Sequence, residues 1–347
     1  MTDAPAQPPR LVISVMLVAL NEAHHMEAIR IALDQLRLPP GAILERILVD
    51  GGSTDGTLEA AYENGFDQCF RLPGKSIPVC RNHALSCAHG EWLAFLDADC
   101  LPCSDWLLSA APWLSSPEPT LLGYPVVPPG GGNWIQSAWW AHWKHKNLAD
   151  RHDLAPIVHD AFRLITTRNM LLNRVLLRTV PHFDEALVTG EDTDFAFRAT
   201  QSGCRVVALP ALQVTHLGEP ATLSQFYRQQ LWHANRRAYA TILRKTGGRQ
   251  GANAIYFSFA FLAALLLAIL ALPLALLHTP WWLLLLLPLP AVTCAPALFI
   301  AARARIPLLF PQLAVLYFLY GLARSIDLLG FAPRKPTWKS SAPPPTP

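Results

Sequence analysis

Residues 11–20, LVISVMLVAL, form an unbroken apolar run of strand length. That pattern predicts a strand buried on both faces of a parallel sheet. The more polar stretch at about 21–37 predicts a helix, ended by LPPG. ERILVDGG predicts the next strand, a Gly/Ser/Thr turn follows it, and TLEAAYENG opens another helix. A helical pattern over 78–89 then leads into the strand WLAFLDAD. Strands alternating with helices predict a doubly wound α/β sheet. Open sheets of this kind bind ligands at the carboxyl ends of their strands. VDGGS and LDADC both fall at such ends, so their aspartates are expected to face one crevice.

From about residue 253 the pattern changes to long apolar tracts. AIYFSFAFLAALLLAILALPLALLH is long enough to span a bilayer as a helix. WWLLLLLPLPAVTCAPALFIAA is a second candidate, interrupted by prolines. PLLFPQLAVLYFLYGLARSIDLLGF is a third, and it carries Arg324 and Asp327, which at i and i+3 could neutralise each other on one face. Three such tracts in sequence predict a membrane region of two or three helices. Arg236, Arg237, Arg244, Lys245 and Arg249 precede the first tract and place the N-terminal part in the cytoplasm. The uncharged HTPWW fits the far side, and Arg303 and Arg305 fit a return. A full third span would put Arg334, Lys335 and Lys339 outside, against the charge bias, so a re-entrant or interfacial third element stays open.

Composition follows the same division. The chain of 347 residues is 52% hydrophobic and only 15% charged, with the charge mostly before residue 250. Its net charge of +3 and lack of a basic stripe with interleaved aromatics argue against a nucleic-acid partner. The opening MTDAPAQPPR is polar and Pro-rich, unlike a secretory leader, and the apolar run after it is too short to span a bilayer. Seven scattered cysteines, an odd number, fit reduced thiols in a cytosolic compartment.

Two chemistries compete in FLDADCLPC. Asp97 and Asp99 form a D-x-D able to hold a divalent cation, while Cys100 and Cys103 form a C-x-x-C. Zinc would want a second cysteine pair, and a redox pair would want a helix N-terminus, so the cysteines read as small, semi-buried thiols. Taken singly, the acidic motifs also fit helix caps or solvated strand ends, with Asp55 and Thr57 capping after VDGGSTDGT and Asp194 capping TDFAFRAT. Their order is more telling. An aspartate closes one strand, a D-x-D closes a later one, and GEDTDFAFR opens a helix about ninety residues on.

VALNEA at 18–23, ILVDGGSTDGT at 47–57, RNHALSCAHGEWLAFLDADCLP at 81–102 and FDEALVTGEDTDFAFRATQSG at 183–203 together resemble family 2 glycosyltransferases of the GT-A fold. They stand in the family's order and spacing across most of residues 11–235. One departure is Asp50-Gly51, where the family usually has two aspartates. The resemblance implies an α/β GT-A domain with a doubly wound, mostly parallel sheet, followed by a C-terminal transmembrane helical region. It divides the chain into a disordered 1–10, a catalytic domain at 11–221, an amphipathic interfacial helix at 222–250, a membrane region at 251–332 and a disordered tail at 333–347.

The same resemblance assigns roles. Asp99 would ligate Mg²⁺ or Mn²⁺, and Asp97 would contact the ribose or the metal's shell. Asp50 and the segment with Ala19, Leu20 and Glu22 would hold a uridine- or guanosine-type nucleoside. Arg81 would sit near the base or diphosphate, with a surface salt bridge as the plainer alternative. Asp192 would be the catalytic base, with Glu191 supporting it or touching the acceptor, and His216 would lie near the metal or diphosphate. The physics agrees, because a departing nucleoside diphosphate needs its charge neutralised and the acceptor hydroxyl needs a base on the opposite face.

The expected activity is therefore metal-dependent, inverting transfer from a nucleotide-sugar to a lipid-linked glycan. It would occur at the cytoplasmic face of the inner membrane, in exopolysaccharide or cell-envelope assembly. A polyprenyl-phosphate sugar synthase is the alternative; a sugar-1-phosphate nucleotidyltransferase or a non-catalytic scaffold fits less well. RQQLWHANRR lacks the Q-x-x-R-W of processive synthases, favouring addition of a single sugar. The four tryptophans of NWIQSAWWAHWKHKNL suit a bilayer surface near a lipid-linked acceptor.

Overall fold

The computed structural model describes residues 11–147, 155–187, 190–234 and 252–331. The basic cluster before the first apolar tract, the expected disordered ends and the far half of the 222–250 helix lie outside them. The described residues divide into two compact units, one of 11–129 with 155–218, the other of 130–147 with 219–234 and 252–331.

The first unit is built on a seven-stranded sheet in the order β3-β2-β1-β4-β7-β6-β8. Its strands are β1 (Leu11–Ala19), β2 (Ala42–Asp50), β3 (Gln68–Arg71), β4 (Trp92–Asp97), β6 (Thr120–Gly123), β7 (Met170–Asn173) and β8 (Arg205–Ala208). The central pairs β1–β2, β1–β4 and β2–β3 are parallel, β7 runs antiparallel to both its neighbours, and β6–β8 is parallel. The mostly parallel sheet expected from sequence is present, with one reversed strand. In β1, Ile13, Val15, Met16 and Leu17 are fully buried, as an apolar run covered on both faces requires.

Helices α1 (Met26–Asp34), α2 (Thr57–Glu63), α3 (Ile77–Cys87), α4 (Trp106–Leu114) and α6 (Glu191–Gln201) belong to this unit. The first helix is shorter than its polar pattern suggests, because a 3₁₀ turn occupies Ala23–His25. A separate two-stranded ribbon pairs β5 (Cys100–Pro102) antiparallel with β9 (Val214–His216). The buried Asn169 steadies the surrounding loops. Its amide donates to the carbonyls of Tyr124 (2.9 Å) and Leu212 (2.7 Å), and its oxygen accepts from Trp106 Nε1 at 2.9 Å.

The second unit gathers α5 (Trp134–Asn147), α7 (Leu223–His233), α8 (Ala252–Leu277), α9 (Pro288–Ala304) and α10 (Leu309–Leu328). The segment from Gly130, expected within the 11–221 domain, packs with these helices instead. Ile135 and Ala138 of α5 join Phe226 of α7 and Leu313, Leu316 and Tyr317 of α10 in one apolar core. A capping box opens α7. Thr222 Oγ1 accepts from the Gln225 amide at 3.2 Å, and Gln225 Oε1 accepts from the Thr222 amide at 3.0 Å.

Three helical stretches, Ala254–Leu277, Pro280–Ala304 and Leu309–Leu328, are long and apolar enough to cross a membrane. At about 1.5 Å per residue each reaches the roughly 30 Å of a hydrocarbon core. The tryptophans of α5 are not a uniform outward stripe. Trp139 lies among helices, stacked on His142 and edge-on to Phe226 and Tyr317, because its ring fills the space between α5, α7 and α10. Trp140 and Trp143 stack on each other, and Trp134 is the exposed member.

Candidate active site

The carboxyl ends of β1, β2 and β4 bring Ala19, Asp50 and Asp97 to one edge of the sheet. Parallel register sets this, pairing Ala19 with Asp50 and Val18 with Asp97. Each strand ends there because the next residues supply turn chemistry rather than further apolar pairs.

Asp50 is fully buried and holds its own turn. Its carboxylate accepts from the amides of Gly52 (3.2 Å) and Ser53 (3.0 Å) and from the Ser53 hydroxyl, with Arg71 Nε 3.7 Å away. Gly52 takes φ +104°, and a Cβ there would lie 2.9 Å from Pro73 Cα, so the turn needs glycine. The loop after β1 is sewn to this turn by Asn21, Glu22 and Ala23, which bond Ser53, Thr54, Thr57 and Asp55. Asn21 adopts φ 58°; its amide donates to Ser53 Oγ at 2.8 Å, and its Oδ1 accepts from the Thr54 amide at 3.0 Å. The amide of Glu22 donates to Thr57 Oγ1 (2.9 Å) and that of Ala23 to Asp55 Oδ2 (3.1 Å). The Glu22 carboxylate itself pairs with His25 at 2.8 Å. The Ala19 side chain is buried, its carbonyl accepting from the Gly51 amide at 2.9 Å, and Leu20 is half-buried. Backbone and turn geometry, more than side chains, therefore shape this part of the crevice.

Arg81 lies at the centre of the acidic cluster. Helix α3 buries it to 6% exposure, which excludes the surface salt bridge considered from sequence. Its guanidinium bonds Glu191 Oε1, 110 positions away in sequence, and reaches Asp97 Oδ1 at 3.3 Å, joining the D-x-D to the GED segment. Burial works against its charge, but the carboxylates of Glu191, Asp97 and Asp192 hold it above its ordinary value. Burial pushes Glu191 up to about 6; Arg81 opposes the shift and Asp192 adds to it.

Glu191 and Asp192 start α6 behind Gly190, which takes φ +82°. Three acids in the first turn sit where the helix dipole favours negative charge. Glu191 points into the buried cluster, while Asp192 is half-buried and accepts from the Thr193 amide at 2.6 Å. Asp194 does not cap the helix; it is already inside the first turn and pairs with Arg198 one turn on, at 2.7 Å.

Asp99 is placed by the β5–β9 ribbon. Register sets Cys100 opposite His216, and the Leu217 amide donates to the Asp99 carbonyl at 2.8 Å. The outcome is Asp99 Oδ2 at 3.0 Å from His216 Nε2, with His216 only 6% exposed. Gly218 leaves room for this pair. A Cβ there would run into Asp99 Oδ2 and lie 3.3 Å from His216 Nε2. Carboxylate and imidazole donors around such a space suit Mg²⁺ or Mn²⁺. Cys100 is nearer to this chemistry than sequence suggested, its thiol 3.7 Å from Asp99 Oδ1. Burial and the carboxylates of Asp99 and Asp97 push that thiol well above its ordinary value.

Comparisons with known proteins give this acid-lined sheet edge a family. The profile described as glycosyl transferase family group 2 matches residues 92–318, well over half of the chain. The chain belongs to that family. It is 26% identical over 199 residues to the glycosyltransferase AglE of Haloferax volcanii, covering 55% of this chain and 62% of that one. It is 24% identical over 218 residues to the pre-mycofactocin glycosyltransferase of Mycobacterium tuberculosis, covering 61% of this chain and 44% of that one. The matches thus span less than two thirds of either relative. The mannosyltransferase PcManGT of Pyrobaculum calidifontis, solved in complex with GDP-Man and Mn²⁺, shares the fold with a TM-score of 0.54. It is 21% identical, with 94% of this chain and 88% of that one covered.

Proposed function

We propose that this chain is a glycosyltransferase that takes its sugar from a UDP- or GDP-type nucleotide-sugar and passes it, with inversion, to a lipid-linked glycan. The observation that carries the reading is Arg81 tying Asp97 of the D-x-D to Glu191, the neighbour of Asp192, beside the Asp99–His216 pair. Asp99 and His216, with Asp97, would hold Mg²⁺ or Mn²⁺, which when bound neutralises charge on the departing diphosphate.

The chain's own residues do the rest. The turn ordered by Asp50, Ser53 and Asn21 presents a fixed wall for the nucleoside beside Ala19, Leu20 and Glu22. Asp192, half-buried at the helix start, accepts the proton of the acceptor hydroxyl. As that oxygen bonds the anomeric carbon, the bond from this carbon to the diphosphate oxygen breaks on the opposite face, which inverts the centre. Glu191, fixed by Arg81, keeps the first turn of α6 in register and adds negative charge near the developing positive sugar.

Three helices able to cross a membrane support an acceptor carried in lipid, and the envelope glycans of a bacterial-type inner membrane as the setting. Arg236, Arg237, Arg244, Lys245 and Arg249 before α8, with Arg303 and Arg305 at the end of α9, support a cytoplasmic catalytic unit. The test is a panel of nucleotide-sugars offered to membranes containing the protein, with and without divalent ions. Asp192→Asn should lower transfer by about 10²–10⁴-fold while donor binding is kept. Full transfer by that variant would refute the assigned base.

A further inference from the structure

The second unit holds a cavity of about 510 Å³ that the catalytic reading does not use. Its walls come from α5, α8, α9 and α10. That volume lies within the range of small-molecule sites. The lining is chemically two-sided. One part offers Arg303 from the last turn of α9, with His142 and His145 one turn apart on α5. Tyr317 adds a phenol, its oxygen 2.6 Å from His142 Nδ1, and both residues are buried, at 6% and 8% exposure. The other part is apolar, with Phe257, Phe299 and Ile300. Phe299 is 61% exposed, so this wall runs out onto the outer surface of a helix apolar enough to face lipid.

A cation and a phenol on helices long enough to span a bilayer, with two imidazoles facing them from α5, form a costly arrangement of the kind that accompanies functional sites. Guanidinium and imidazole donors recognise phosphate oxygens. An apolar wall continuing to the lipid-facing surface suits a hydrocarbon chain rather than a soluble anion.

We propose that this cavity binds the phosphate-bearing head of a lipid, with the first carbons of its chain along Phe257 and Phe299. Resting on the proposed function, this lipid is the anchor of the sugar acceptor. Arg303 takes the phosphate oxygens, and His142, held by Tyr317, supplies a second donor direction.

The experiment uses the full-length protein in detergent micelles, with farnesyl phosphate as the probe and intrinsic tryptophan fluorescence as the readout, Trp139 being part of the wall. Farnesyl phosphate should bind saturably, and farnesol or inorganic phosphate alone at least about tenfold more weakly. Arg303→Gln should weaken farnesyl phosphate about tenfold or more, Arg303→Lys should recover part of the loss, and Ile300→Trp should block the cavity by bulk. Titration with UDP and GDP, together with thermal unfolding, shows that each variant is folded and its donor site intact. Unchanged farnesyl phosphate affinity in both Arg303→Gln and Ile300→Trp overturns the proposal. Equal binding of inorganic phosphate would show a free-anion site, and equal displacement by phosphatidylglycerol would show an unselective lipid seat; either outcome overturns the acceptor assignment. Binding of the lipid phosphate without any glycosyl transfer would instead sink the proposed reaction and leave this site standing.

Discussion

Two glycines that cannot carry a side chain show how differently the two units are built. At Gly218 a Cβ would run into Asp99 Oδ2, which pairs with His216 Nε2 at 3.0 Å, a contact between polar groups. At Gly321, in α10, it would enter the ring of Phe261 on α8, a contact between apolar helices. The first glycine leaves room for the Asp99–His216 pair; the second lets two helices approach. The surroundings differ in the same way. Around Arg81, charged groups are buried and bound to one another by directed bonds. Along α8 and the turn after it, Leu276, Leu277 and Trp281 stand 76–77% exposed, as suits a surface whose solvent is hydrocarbon. Around Arg81 the packing is ordered by directed polar bonds, and between α8 and α10 by the fit of apolar side chains.

The comparison can be broken most severely at Asp99. Asp99→Asn removes a carboxylate from the proposed cation site and should cut transfer by about 10²–10³-fold, with metal-dependent donor binding lost in the same titration. Unaltered metal dependence would place the cation elsewhere.

Arg81→Met should come next, because it leaves Glu191 buried without its counter-charge. A stability loss of about 3–5 kcal/mol is expected, read as a lower thermal midpoint of the solubilised protein, together with loss of transfer. The glycine pair provides a sharper contrast. Gly218→Ala should weaken metal and donor binding about tenfold with little change in thermal midpoint. Gly321→Ala should do the reverse, lowering stability by about 1–3 kcal/mol through overpacking while leaving nucleotide binding unchanged.

The smallest expected effect is on pH dependence. Glu191 titrates at about 6, above its ordinary 4.5. The folded protein therefore takes up this proton more readily than the unfolded chain. Its contribution to stability is fully present below 4.5 and is lost as pH rises through about 6. Catalysis runs the other way, since the proton removes the charge that pairs with Arg81. Transfer should fall as pH drops through about 6, and Glu191→Gln should flatten that limb in a pH–rate profile.

Much of this was legible in the chain. The apolar runs of β1 and β4 gave strands, and aspartates directly after them could only lie at the sheet's carboxyl edge. Contiguous motifs such as DAD and GED name chemistry because their residues act as near neighbours. The link between them could not be read. Arg81 is one arginine in a helix of weak amphipathic pattern, and nothing local says that α3 buries it between Asp97 and Glu191. The three-residue strands β5 and β9 are too short for any periodicity to show, yet they set Asp99 against His216. The tryptophans of α5 looked alike in sequence, and packing alone turned Trp139 inward and left Trp134 outside.

The sequence by itself determined the strand–helix alternation, the acid motifs at strand and helix ends, and three helices apolar enough for a membrane. Each is a local property, set by side-chain period, turn chemistry and run length. The tertiary structure decided which acids share a counter-charge, where Asp99 meets His216, and which helices enclose the cavity beside Arg303. Those depend on pairs of residues far apart in the chain, whose meeting is fixed by register and close packing rather than by any neighbour in sequence.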